Sequence, residues 1–325
     1  MIETNNLNSI KEQLYERKER LENVVRNMND PSRLFDLLKE VDEALARMDN
    51  GTYGLCEVCH DCIEMDRLMI DPLVTVCLDH LNVTQKRSLE LDLEMAAKIQ
   101  RGLLPKNNSS INGWEFSYYY NPMHAVGGDF CDLISLDSDS LLFVLGDVSG
   151  KGVSASLMTS QLHALIRSLI SFDLPLTEIA KKSNRLFCES TVLSNYATMV
   201  FGKANTRGEV EICVAGHNPP LLVQDGRLES IHATGIPVGL FCNFDYEVTK
   251  FTLEPGDFIL LYTDGLTESA INEIEYGEKR LQEKLLNTTK LSPSNIIDFL
   301  IKDQKSYLQN SPPADDVTLA VLKKS

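Results

Sequence analysis

Four residues with metal-ligand chemistry fall at paired spacing early in this 325-residue sequence: Cys56-x-x-Cys59 and, seventeen residues later, Cys77-x-x-His80. Each pair is closed by a tight turn, so both can meet at one tetrahedral ion, and three thiolates with an imidazole suit Zn²⁺. Cys62 repeats the spacing from Cys59 and stands as an alternative fourth ligand. A second set is all oxygen. Asp147 follows the apolar run Leu141–Leu145, and Asp264 follows Phe258–Tyr262. Asp129 precedes the run from Phe130 to Leu136, and Asp315-Asp316 precede Val317–Leu322. In antiparallel neighbours one strand's exit and the next strand's entry share a sheet edge, so these carboxylates are expected to converge. Crowded carboxylates repel one another unless a cation compensates, and oxygen ligands select hard ions such as Mg²⁺ or Mn²⁺ over zinc.

The elements that would position these groups follow from periodicity. Asn8 to Met28 and Ser32 to Met48 repeat at helical spacing and are separated by Asn29-Asp30-Pro31, with Asp30 as cap and Pro31 in a first turn. A third amphipathic helix is expected from Asn82 to Leu104, with Leu89, Leu93 and Ala96 on its apolar side, widened by Met95, Ile99 and Leu103. Beyond Pro105 strands are expected at 116–120, 141–145, 197–201, 210–214, 258–262 and 317–322, and helices at 154–170 and 176–189. Leu162, Leu165, Ile166 and Leu169 form a core-facing stripe; His163 lies off it and is expected to be exposed. His217 is read as a turn histidine and Cys213 as strand core. Cys131, Cys188, Cys213 and Cys242 are read as small buried thiols.

Composition bounds the function. With 43% hydrophobic and 24% charged residues, no apolar run of membrane length and a polar start with no secretory character, a cytoplasmic protein without membrane attachment is expected. A net charge of −16 disfavours direct contact with nucleic acid or anionic lipid. Three regions are expected: a helical hairpin with a zinc finger over 1–82 (the finger at about 50–82), a linker helix over 83–106, and a second domain over 107–325.

Two resemblances add to this. The run Ala44 to Cys56 with Arg67-Leu68 resembles the DksA/TraR-type zinc finger, apart from His80 where cysteine is common. That resemblance implies RNA polymerase binding as an alternative role, a transcription regulator with a non-catalytic second domain. The turn Asn29-Asp30-Pro31 lacks the paired aspartates of the polymerase-binding members. Six ordered motifs in the second domain resemble the SpoIIE/RsbU branch of the PPM phosphatases: Ala97-x-Ile99-Gln100-x-x-Leu103-Leu104-Pro105, Val126-Gly127-Gly128-Asp129-Phe130-x-Asp132, Gly146 to Gly152, Ala215 to Pro220, Tyr262 to Glu268, and Asp315 to Leu319. The resemblance implies an α+β fold, a four-layer αββα sandwich of two antiparallel sheets with two Mn²⁺ or Mg²⁺ ions at one edge. Asp147 would bridge both ions, assisted by the Val148 carbonyl. Asp129 would hold one ion, and Asp264 and Asp315 the other. Hydrolysis of phosphoserine or phosphothreonine by a metal-activated water is implied, with Ser149 where many eukaryotic members carry a general-acid histidine. The implied substrate is an anti-sigma-factor antagonist of a partner-switching pathway, and the linker helix is expected to act as a lever or a homodimer contact.

Overall fold

The computed structural model describes residues 4–25, 32–191, 195–309, 311 and 313–325. Two compact units emerge, Met1–Asp92 and Leu93–Ser325. In the first, helices α1 (Thr4–Val25) and α2 (Ser32–Asp49) pack through Ile10, Leu14, Val41, Ala44 and Leu45, which share one core with Tyr53, Cys56, Ile63, Leu68 and Cys77. The turn Asn29-Asp30-Pro31 lies outside the described residues. A short helix α3 (Met65–Ile70) follows the first cysteine pair. Helix α4 (Val83–Leu103) is begun by a reciprocal cap, in which Asn82 Oδ1 accepts from the Gln85 amide and Gln85 Oε1 from the Asn82 amide.

The second unit opens with β1 (Ser109–Ile111), β2 (Trp114–Asn121), β3 (Asp129–Ser135) and β4 (Ser140–Val148), followed by α5 (Gly152–Leu169) and α6 (Leu176–Ser190). Strands β5 (Ala197–Asn205), β6 (Glu209–Ala215), β7 (Leu221–Gln224), β8 (Arg227–Ser230), β9 (Thr249–Thr252) and β10 (Phe258–Tyr262) come next. A one-turn helix α7 (Asp264–Thr267), a hairpin of β11 (Ala270–Ile271) and β12 (Ile274–Glu275), helices α8 (Glu278–Leu285) and α9 (Pro293–Tyr307), and β13 (Val317–Lys324) complete it. One sheet runs β1–β2–β13–β10–β7–β8, the other β3–β4–β5–β6–β9, and the ladders in both are antiparallel.

Period-two alternation explains the layers. In β4, Leu141, Phe143 and Leu145 enter the core between the sheets, while Leu142, Val144 and Val148 face α5 and α6. Strand β10 splits likewise, Ile259 and Leu261 inward and Phe258, Leu260 and Tyr262 toward α8 and α9. Both faces of each sheet are covered, so central strands read as continuous apolar runs. The four-layer sandwich expected from the sequence is present. Among the described residues no helix is long and apolar enough to cross a membrane.

Three expectations are corrected. His163 is buried, not exposed: Asp132, on the helix-facing side of β3, accepts both Nε and Nη2 of Arg167 and lies 3.1 Å from His163 Nε2, so the helix turns that histidine inward. Cys188 and Cys242 are not separate buried thiols; they are joined by a disulfide from α6 to the 239–245 loop, which Asn184 also holds through the Gly239 amide and the Phe241 carbonyl. Met95 and Ile99 do not widen the buried side of α4. They are 57% and 60% exposed, on a face shared with Leu91, whereas Gln100 is buried. Cys131 and Cys213 are buried as expected.

Candidate metal centres

The cysteine segment folds around its own ligand atoms. The amide of Cys56 donates to the Asp61 carbonyl and that of Ile63 to the Gly54 carbonyl, which closes the first turn. The amide of His80 donates to the Cys77 carbonyl and closes the second. Cys59 Sγ and Cys77 Sγ are 3.8 Å apart, Cys56 Sγ and His80 Nδ1 3.8 Å, and all four ligand atoms lie within 4.8 Å of one another. A tetrahedron with metal–sulfur bonds of about 2.3 Å has edges of roughly this length. Cys62 is exposed and outside this group.

The aspartates arrive from two sheets. Asp129 and Asp147 are directly paired across β3 and β4. Asp264 follows β10 and Asp315 precedes β13, and these neighbours in the other sheet run antiparallel with Tyr262 opposite Leu319. Asp129 is 1% exposed; its Oδ2 accepts from the hydroxyls of Thr263 at 2.8 Å and Thr318 at 2.6 Å, so one carboxylate oxygen is tied to both strands of the opposite sheet. Burial and then the charge of Asp147 raise its pKa well above the ordinary carboxylate range, against the two hydroxyl bonds. Asp147 is pushed up to about 7 by burial, then by the charges of Asp264, Asp315 and Asp316. Asp264 is raised by burial and then by Asp315. The half-exposed Asp315 meets Lys151 at 2.8 Å.

Asp316 does different work from its neighbour. Its carboxylate is buried and accepts from the amides of Met123 at 2.6 Å and Gly128 at 2.7 Å, anchoring the loop that delivers Asp129. That approach requires glycine: a Cβ on Gly127 would stand 2.3 Å from Asp316 Oδ2, and one on Gly128 2.6 Å from the Val148 carbonyl oxygen. The Val148 carbonyl thus lies against the same loop. Gln100, reaching from α4, donates to the Gly127 carbonyl at 2.7 Å and accepts from the Gly127 amide at 3.1 Å and the Tyr120 hydroxyl at 3.0 Å. His217 fixes geometry: Nε2 donates to the Tyr262 carbonyl at 3.1 Å and Nδ1 accepts from Thr198, the residue opposite Asp147. Burial lowers its pKa to about 4, so it stays neutral and bridges the sheets. The sequence reading missed Thr263 and Thr318 as anchors; their signal is a threonine just past the apolar run 258–262 and another within the apolar run 317–322, each within two residues of an aspartate.

An all-oxygen set whose members cannot ionise together without cost fits hard divalent cations. Comparison with known proteins agrees with this fold. The model of the family "Stage II sporulation protein E (SpoIIE)" matches residues 137–325. The chain is 26% identical to phosphoserine phosphatase RsbU of Bacillus subtilis over 74% of its length and 72% of that protein. It is 25% identical to protein IcfG of a Synechocystis strain over 72% of its length, but spans only 42% of IcfG. The solved RsbU and RsbW domains of a Mycobacterium tuberculosis protein superpose with a TM-score of 0.57 at 31% identity, covering 66% of this chain and 60% of that one.

The raised carboxylates predict how stability depends on pH. Between the ordinary carboxylate range and pH about 7 the folded site holds protons that the unfolded chain has released, so stability of the metal-free protein falls as pH rises through that window. A divalent ion held by these carboxylates would replace those protons and remove the fall. Thermal unfolding at pH about 5 and about 8 checks this: the midpoint should drop at the higher pH in chelator and hold in Mn²⁺, and equal behaviour in both would contradict the site.

Proposed function

Because this chain belongs to the SpoIIE family, we propose that it is a metal-dependent serine/threonine protein phosphatase acting on a phosphorylated regulatory protein, an anti-sigma-factor antagonist of a cytoplasmic partner-switching pathway. The observation that carries the reading is the convergence of Asp129, Asp147, Asp264 and Asp315 from two sheets at one edge. Asp147, with the Val148 carbonyl beside it, would bridge two Mn²⁺ or Mg²⁺ ions; Asp129 would hold one and Asp264 and Asp315 the other. Bound there, such ions would activate a water and offset charge on the phosphoryl oxygens. The protein's own part is positional: Thr263, Thr318, Asp316 and Gln100 hold the Asp129 loop, and His217 ties the ends of β5 and β10. RsbU, similar along most of both chains, is named as a phosphoserine phosphatase, which supports the substrate class. Purified protein with a phosphoserine-bearing antagonist should release phosphate only with Mn²⁺ or Mg²⁺, and Asp147→Asn should cut the rate by at least about 100-fold. Metal-independent release, or an unaffected Asp147→Asn, would end this reading.

The N-terminal unit is proposed to bind one Zn²⁺ through Cys56, Cys59, Cys77 and His80, which is supported by their mutual distances. Elemental analysis should return about one zinc per chain, and Cys59→Ser should lose it together with amide protection over residues 50–82. Retained zinc in that variant would point to Cys62 as a substitute ligand.

A homodimer through α4 is also proposed. Leu91, Met95 and Ile99 recur every four residues on an exposed helical face. In sedimentation the protein should be dimeric and Met95→Glu with Ile99→Glu monomeric; a monomeric wild type would exclude the contact.

A further inference from the structure

The metal-edge aspartates make one ion pair among the described residues, that of Asp315 with Lys151. Lys151 sits at the N-cap of α5 between Gly150 and Gly152, whose φ values of +100° and +69° turn the chain sharply after β4. Its Nζ reaches across to the segment before β13, 2.8 Å from Asp315 Oδ2 and 3.0 Å from the Ala314 carbonyl oxygen. Both side chains are about half exposed, 49% and 45%, so the contact is wet and contributes little stability.

Charge arithmetic gives it a purpose. Four carboxylates against two divalent ions leave no surplus positive charge, and Asp316 adds a fifth negative group beside them. A phosphate monoester arrives as a dianion and needs a further cation, which backbone amides alone do not supply. Once Asp315 is engaged by metal, the ammonium loses its charged partner and keeps only the Ala314 carbonyl. Its flexible four-carbon stem then lets it turn to the nearest new anion.

Resting on the phosphatase reading above, we propose that Lys151 is an exchangeable cation: it occupies Asp315 in the metal-free site and, when metal takes that carboxylate, binds a non-bridging oxygen of the substrate phosphoryl group and of product orthophosphate. Lys151 therefore competes with metal for Asp315 and cooperates with metal for phosphate.

The test uses the full chain and three probes: Mn²⁺ alone, orthophosphate added to the Mn²⁺-loaded protein, and steady-state hydrolysis of a phosphoserine protein. In calorimetry Lys151→Met should bind Mn²⁺ as tightly as wild type or more so, yet bind orthophosphate about 10-fold or more weakly. Its KM should rise by a similar factor, and Lys151→Arg should recover most of the phosphate affinity. Orthophosphate affinity within about twofold of wild type in Lys151→Met, or weakened Mn²⁺ binding, would overturn the proposal and leave Lys151 as a structural partner of Asp315. A wild-type protein that releases no phosphate would instead overturn the phosphatase reading on which the proposal rests.

Discussion

Mutual repulsion among carboxylates gathered at the end of two sheets is the constraint around which the second unit is built. Asp129 is almost wholly buried, Asp147 stands directly opposite it, and Asp264 and Asp315 add their charges from the neighbouring sheet. Burial alone would scatter or neutralise such groups. They stay together because the sandwich core fixes the strands that carry them, and that core is large enough to hold an unfavourable edge.

The anchoring is specific to oxygen atoms and backbone amides. The Thr263 amide donates to the Thr318 carbonyl, the Thr318 amide donates to the Thr263 hydroxyl, and both hydroxyls donate to one oxygen of Asp129, so the register of β10 against β13 sets the position of an aspartate in the other sheet. Gln100 holds the Gly127 amide and carbonyl while Asp316 holds the amide of Gly128. A displacement of the α4 segment carrying Gln100 would therefore act on the Asp129 loop through two hydrogen bonds to one glycine. Phe143 fills the space opposite Gly202, where a Cβ would stand inside its ring, and so locks β4 against β5.

Much of this was legible before folding. Strands β4, β10 and β13 read clearly because they are covered on both faces and largely apolar, and Phe258–Tyr262 was read to the residue. The pairs Cys56–Cys59 and Cys77–His80, which the fold brings together, were legible because their spacing is local: a tight turn sets each pair whatever surrounds it. Less legible were groups whose partners are distant in sequence. Strand β9 and the short β7–β8 hairpin carry weak periodicity and are held by neighbours. His163 reads as polar and off the stripe until Asp132, on a strand more than thirty residues earlier, is placed beneath it. Cys188 and Cys242 look like unrelated singletons until α6 and the following loop bring them together.

By itself the sequence determined which residue types were present for chemistry, the order of the motifs that carry them, and the turns that pair Cys56 with Cys59 and Cys77 with His80, because those depend on local backbone geometry. Only the tertiary structure decided which oxygen faces which. That Asp316 anchors a loop while Asp315 faces Lys151, and that Met95 and Ile99 point away from the side of α4 that buries Gln100, follows from strand register and helix phase. Packing across two sheets sets both, through contacts between residues far apart along the chain.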